Sequence, residues 1–297
     1  EHIEKYLKTE YVGNTLLSDV YIEPTSLPEL SINDIDTSII FCGKKINFPL
    51  MINAMTGGTE MTETINQDLS MMAASLGIPM QVGSEKIALE DDSAKESFRV
   101  VRSALGKDSV VISNLGSKAT IEEVKSAMEL IDADAIGIHI NPSQELVMGE
   151  GERDFRGTIE NIKALCNEFP GKIIAKEVGF GMRREVGEKL RDAGVTMIDV
   201  SGGGGTNFME IEDLRVSKDH SAFYDFGVPT AISIINVREA CPEQMIIASG
   251  GIKNGMDIVK AIILGADLCG MSGEILRYLL VGNFEYAKEY LESVVLQ

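Results

Sequence analysis

Lys172-Ile173-Ile174-Ala175-Lys176-Glu177-Val178-Gly179-Phe180 is the stretch whose reading decides the fold. Three apolar residues run straight into Lys176, and Gly179 then begins a turn. An apolar run this short, closed by a turn, reads as a strand buried on both faces. A cation at the C-terminal mouth of such a strand is costly to bury unless an anion meets it. Something negative is therefore expected beside Lys176.

The same design recurs along the chain. Short apolar runs occur at Phe48–Thr56, Pro79–Ser84, Val110–Leu115, Ala135–Asn141, Ile173–Gly179, Met197–Gly202, Met245–Gly251 and Leu268–Gly273. Helical patterns such as Glu63–Leu76, Ile121–Ile131 and Gly255–Leu264 lie between them. Strand-helix alternation argues a parallel sheet. Eight such units in about 250 residues match a closed (β/α)₈ barrel, the TIM barrel of the α/β class. A doubly wound open sheet is the alternative. The whole chain, 1–297, reads as one domain, with an N-terminal cap over 1–47 and the barrel over 48–297. Residues 203–228, after the sixth run, are expected to form a long loop, and loops of that length usually carry function.

The bulk numbers agree with a single large core. Hydrophobic residues make up 44% of the 297 and charged residues 25%, which speaks against disorder. Twenty-seven Lys and Arg stand against 46 Asp and Glu, a formal charge of −19. No basic stripe is visible, so nucleic acid is a poor partner. Any phosphorylated ligand must be held by local donors against that field. Cys42, Cys166, Cys241 and Cys269 are scattered, without C-x-x-C spacing, which fits a reducing cytoplasm better than disulfides or zinc. No apolar run nears the ~20 residues of a membrane span.

In a barrel of this type the site lies at the C-terminal strand ends. There the sequence places Ala54-Met55-Thr56, Ser84, Asn114, His139 with Asn141, Lys176, Ser201 with Thr206, Ser249-Gly250-Gly251-Ile252 and Met271-Ser272. Turns explain the glycines but not Asn114, His139 and Lys176 in apolar runs. Side chains alternate along a strand, so Gly137, His139 and Asn141 share one face and Ile136, Ile138 and Ile140 the other. Taken alone, His139 reads as a hydrogen-bonded core histidine. The glycines at 250–251 and 270–273 each precede a helix, where free backbone N–H groups favour a phosphate. Lys253 can add charge there. Glu145, near the mouth, is a candidate Mg²⁺ ligand, since Mg²⁺ is commonly held by one carboxylate plus substrate phosphates. The strand ends carry no evident carboxylate pair and no Cys-His arrangement.

Together these segments resemble the type 2 isopentenyl-diphosphate isomerases, the FMN-dependent family. The resemblance rests on Ala54-Met55-Thr56-Gly57-Gly58, Val82-Gly83-Ser84, His139-Ile140-Asn141-Pro142 with Gln144-Glu145, Lys176-Glu177-Val178-Gly179, Ser201-Gly202-Gly203-Gly204-Gly205-Thr206 and Ala248-Ser249-Gly250-Gly251-Ile252, and it runs over essentially the whole chain. It implies FMN contacts at Ala54, Met55, Thr56, Ser84, Asn114, Lys176, Ser201 and Thr206. It implies an FMN-phosphate site at Gly250, Gly251, Ile252, Lys253, Met271 and Ser272. It further implies Gln144 at the substrate's reacting end, Glu145 on Mg²⁺, and His2, His139 and Asn141 on the substrate. The family pattern also has an Arg-Lys pair shortly before the His-Ile that stands here at His2-Ile3. The sequence opens at Glu1, and part of the natural N-terminus is expected to precede it. Phe208 stands where many members place a tryptophan.

The implied activity is interconversion of isopentenyl and dimethylallyl diphosphate in isoprenoid biosynthesis, by a cytoplasmic homo-oligomer of four or more subunits. Reduced FMN is expected to act as acid/base through N5, with NADPH as its reductant, and Gln144, His139 and Lys176 as the catalytic side chains. Three other readings share parts of the pattern. An FMN-dependent 2-hydroxy-acid oxidase needs a histidine base near the sixth or seventh strand end, and none precedes His220 there. A purine-nucleotide dehydrogenase needs a cysteine in the loop after the sixth strand, and 203–228 has none. A non-catalytic flavin-binding protein needs neither.

Overall fold

The structure is a computed structural model and describes residues 2–297. Ten strands form: β1 (Ile39–Phe41), β2 (Lys44–Ile46), β3 (Leu50–Ile52), β4 (Met80–Gln81), β5 (Val111–Gly116), β6 (Ala135–His139), β7 (Ile173–Lys176), β8 (Met197–Asp199), β9 (Met245–Ala248) and β10 (Leu268–Met271). β3 to β10 close into a parallel barrel, with β10 pairing β3, and helices lie between the strands. Each of the eight expected runs holds one of its eight strands; most strands end before the run does, and β5 runs one residue past it to Gly116. The closed sheet, not the open alternative, is the fold.

Alternation sorts the core into two layers. Ile136, Ile138, Ile173 and Ala175 face outward against the helices. Ile112, Ala135, Ile174, Met197, Ile247 and Leu268 face inward and fill the lower barrel, joined by Phe41 and Ile46 of the β1–β2 hairpin. The expected N-terminal cap therefore serves both ends: the hairpin plugs the bottom, while residues near the N-terminus reach the mouth.

Local signals fix the helix bounds. Thr59 accepts from the backbone N–H of Thr62, so the first long helix starts at Glu60, three residues before its apolar periodicity does. Thr120 caps Ile121–Leu130 in the same way, with Glu123 reaching back to the Thr120 N–H. The expected long loop 203–228 is partly helical. Asn207 caps a helix over Phe208–Val216, whose residues 209–213 are all buried. It lacks an amphipathic pattern because it is covered from two sides, by His2–Tyr6 and by Pro142–Val147.

Candidate active site

The register of β5 to β8 assembles the centre of the site. Gly116 pairs with His139, His139 with Lys176, and Lys176 with Asp199, so these four lie side by side at one level. One level down, Gly137 leaves room that any Cβ would take from the Gln81 amide and the Lys176 stem. Lys176 is 6% exposed. Its ammonium donates to the Glu177 carbonyl at 2.8 Å and lies 3.5 Å from Asp199 Oδ2. The anion expected beside the lysine is thus first a residue of the chain itself. Asp199 carried the same signal as Lys176, a lone charge in an apolar run, and sequence reasoning passed over it.

A cavity of about 810 Å³ opens above this floor. The structure brings to it Ala54, Met55, Ser84, Asn114, His139, Asn141, Gln144, Glu145, Lys176, Ser201, Thr206, Gly250, Gly251, Ile252, Lys253, Ser272 and His2. Two expected contacts do not line it. Met271 is buried in the outer core, because strand alternation turns it away from the barrel interior. The Thr56 carbonyl is taken up by the Gly83 N–H at 3.1 Å and the Asn66 amide at 3.2 Å.

One end of the cavity is built of backbone. Gly250 and Gly251 have φ of 97° and 81°, a region other residues seldom enter. A Cβ on Gly250 would meet the Gly202 N at 2.6 Å, and one on Gly205 the Gly251 N at 2.6 Å. Two glycine loops touch here, and only glycine on both sides permits it. Lys253 and Arg277 stand at this end, Lys253 3.9 Å from Glu274 and Arg277 over the Tyr6 ring. Exposed backbone and two cations suit the phosphate of a flavin mononucleotide. The floor, with a buried ammonium facing the cavity, suits a flavin ring that gains negative charge on reduction.

The opposite wall carries the substrate-type residues. His139 Nδ1 lies 3.2 Å from Asn114 Oδ1, while the Asn114 amide nitrogen donates to the Val82 carbonyl. That network places the proton on Nδ1 and leaves Nε2 as an acceptor. Burial, with Lys176 nearby, pushes the His139 pKa down to about 4, so the ring is neutral near pH 7. Gln144 Nε2 donates to Glu212 at 3.0 Å, and the Asn141 amide donates to Gln144 Oε1 at 3.2 Å. Glu145 accepts from Asn141 at 3.0 Å and from the Glu152 N–H at 2.7 Å.

Glu212 was missed by sequence reasoning. Its side chain is fully buried and receives His2 at 3.2 Å, Gln144, and Arg215 at 2.5 Å. Arg215 also reaches Glu150 at 3.0 Å. Burial pushes the Glu212 pKa up, but these hydrogen bonds overcome it and hold it below the ordinary value. Glu212 thus holds Gln144 from behind and does not itself line the cavity, where Glu145 stands beside Gln144. His220 packs on Asp213 at 2.5 Å and does not line the cavity, so no oxidase-type base comes from that loop. Among the described residues no group of three or more His, Cys, Asp or Glu could hold a metal, and no helix is long and apolar enough to cross a membrane.

Residues 139–294 match the FMN-dependent dehydrogenase family. The chain is 42% identical over 284 residues to the isopentenyl-diphosphate delta-isomerase of Bacillus pumilus, covering 95% of this chain and 80% of that one. It is 44% identical over 283 residues to the enzyme of the same name from Symbiobacterium thermophilum, covering 93% and 78%. Among solved structures it is similar to a lactate oxidase of Pediococcus acidilactici, described as putative, with a TM-score of 0.71 at 15% identity, over 99% of this chain and 79% of that one. This last likeness is one of fold alone.

Proposed function

The chain belongs to the FMN-dependent isopentenyl-diphosphate delta-isomerase family, and from that premise we propose that it interconverts isopentenyl and dimethylallyl diphosphate, with reduced FMN on the barrel floor and Mg²⁺ on the diphosphate. The observation that carries the reading is Lys176, a buried ammonium at the floor of a cavity with a glycine-backbone cradle at one end and Gln144-Glu145 on the wall. The likeness to an oxidase fold brings no chemistry with it, since function resides in the site.

Reduced FMN, when bound, supplies proton exchange without net redox change, which is what moving a double bond requires. Lys176 would hold positive charge near the N1/C2 carbonyl edge of the ring. Gly250, Gly251, Lys253 and Ser272 would receive the FMN phosphate, and Ala54, Met55, Ser84, Asn114, Ser201, Thr206 and Ile252 would surround the ring and its chain. Gln144, fixed by Glu212 on one side and Asn141 on the other, orients the alkene end. His139, neutral, offers Nε2 as an acceptor and no proton at pH 7. Glu145 would be the one protein carboxylate on Mg²⁺, water and the diphosphate completing the shell. His2 and Asn141 would contact the diphosphate side. NADPH is the proposed source of the reduced cofactor. A homo-oligomer of four or more subunits is proposed from the apolar side chains left exposed before the barrel, Tyr21 at 81%, Leu27 at 86% and Ile32 at 78%.

The test is an isomerase assay with FMN and Mg²⁺. The protein should be yellow, bleach with NADPH or dithionite, and then isomerise isopentenyl diphosphate without consuming reductant. Lys176→Ala should stay folded and lose turnover by at least about 10²-fold, the scale of one preorganised charge. Wild-type rates in that variant would sink the assignment, and hydrogen peroxide released from a hydroxy acid would point to an oxidase.

A further inference from the structure

Lys176 is not the deepest polar group of the floor. Asp199, level with it on the next strand, is 1% exposed and does not line the cavity. Its carboxylate gathers donors from four separate stretches of the barrel rim. Oδ1 accepts from Ser249 Oγ at 2.6 Å and from the Ser201 N–H at 3.2 Å. Oδ2 accepts from the Asn53 amide at 2.8 Å and faces Lys176 Nζ at 3.5 Å. All four donor residues line the cavity. Ser201 has φ of 34°, a backbone conformation that persists only where its surroundings impose it. Three hydrogen bonds and one opposite charge therefore meet on a single buried carboxylate, and each partner presents another part of itself to the ligand.

We propose that Asp199 is a positioning residue: it fixes the ammonium of Lys176 and the strained Ser201, and balances the lysine's charge so that the floor does not hold the reduced flavin too tightly. The inference rests on the flavin reading above. A buried lysine facing the ring stabilises negative charge on it, and a carboxylate 3.5 Å from that lysine's ammonium offsets the effect. Removing the offset while keeping the shape should make the bound cofactor easier to reduce. Without the lysine there is no ammonium for the carboxylate to hold in place, so the part of the effect that runs through Lys176 is lost.

The experiment is a redox titration of the FMN-loaded protein. Asp199→Asn should raise the midpoint potential by an amount equal to about tenfold in the reduced-to-oxidised ratio, some 30 mV for two electrons. In a Lys176→Met background the same substitution should move the potential by less than a third of that. The KM for isopentenyl diphosphate should stay within about twofold, since Asp199 does not reach the cavity. Equal potentials in wild type and Asp199→Asn overturn the proposal, as does a shift that persists at full size without Lys176. If Asp199→Asn does not fold, Asp199→Ser serves in its place; failure of both assigns Asp199 to the scaffold and also overturns it. A wild-type protein that binds no FMN sinks the flavin reading instead, so the two failures are distinguishable.

Discussion

The barrel half of the cavity and its roof are built by different physics. The floor is made by strand register: His139, Lys176 and Asp199 are brought level by backbone pairing, and their polar atoms are met by one another. The roof is made of residues near the N-terminus and helix Phe208–Val216, which share no sheet. Glu210 accepts from the N–H of Glu10 at 2.7 Å and of Tyr11 at 3.1 Å, and Glu212 takes His2, a sequence separation of some two hundred residues. The floor thus inherits its geometry from the fold, whereas the roof depends on a few carboxylates gripping a distant segment.

The largest expected contrast is in pH dependence. On the barrel side, Glu85 is fully buried, accepting from Ser113 Oγ and from the Asn114 N–H at 3.1 Å, and its Oε1 meets no donor among the described residues. Burial pushes its pKa up from 4.5 to about 8, against the lowering effect of those two bonds. Glu177 rises to about 7 for the same reason, although four backbone N–H groups of residues 178–181 point at it. A folded state that holds a proton more tightly than the unfolded chain is most favoured below about 4.5 and loses that contribution as pH rises to about 8. Glu212 of the roof is held below its ordinary value, so its contribution is present above that value and lost as pH falls through the folded one. The unfolding free energy from urea melts should therefore fall between pH 5 and pH 8.5 by an amount on the order of a few kcal/mol. Glu85→Gln, which mimics the protonated acid, should remove much of the fall. An unchanged slope in that variant would place the pH sensitivity elsewhere.

Glu210 gives the next effect and belongs to the roof alone. Glu210→Ala leaves two backbone N–H groups of residues 10 and 11 without their carboxylate, a loss of roughly 1–3 kcal/mol for bonds to a charged group. Because the loss falls on a cover and not on the core, it should be read as entry and exit. KM for the diphosphate should rise about tenfold, and trypsin should cut after Lys8 faster than in wild type. A global loss of stability with protection of Lys8 would show that the segment is part of the core.

The same division explains what was legible in the sequence. The eight strands, their alternation and the outward set Ile136 and Ile138 could be read because a parallel strand carries its burial pattern within a few residues. Asp199 was equally legible, as the polar member of Met197-Ile198-Asp199-Val200, but the reading of that strand end began at Ser201. Helix Phe208–Val216 was not legible. Residues 203–228 read as a long loop, yet Glu210, Glu212 and Asp213 are all buried, because their partners are Glu10, Tyr11, His2, Gln144, Arg215 and His220. Nothing in residues 203–228 announces partners that distant. Thr56 and Met271 show the converse: segment likeness suggested them, yet neither lines the cavity, and for Met271 strand alternation is the reason.

Tyr11 is where the comparison is finest. Its hydroxyl donates to Asp225 Oδ1 at 2.7 Å, and its ring meets Tyr224 edge-on at 5.7 Å between centroids. Burial, and then Asp225, push the phenol's pKa up to about 12, so it stays a donor throughout the working range. The bond is exposed to solvent, where water replaces a lost partner at a net cost of about 0.5–1 kcal/mol. Tyr11→Phe keeps the ring contact and loses only that bond. KM should therefore rise less than about threefold and the thermal midpoint should hold. Tyr11→Ala, which also removes the edge-on contact, should approach the Glu210→Ala value without exceeding it, since the backbone N–H of residue 11 still reaches Glu210. If the phenylalanine variant instead matches Glu210→Ala, the roof is held from its outer rim by one hydroxyl, and the buried carboxylate beneath it is secondary.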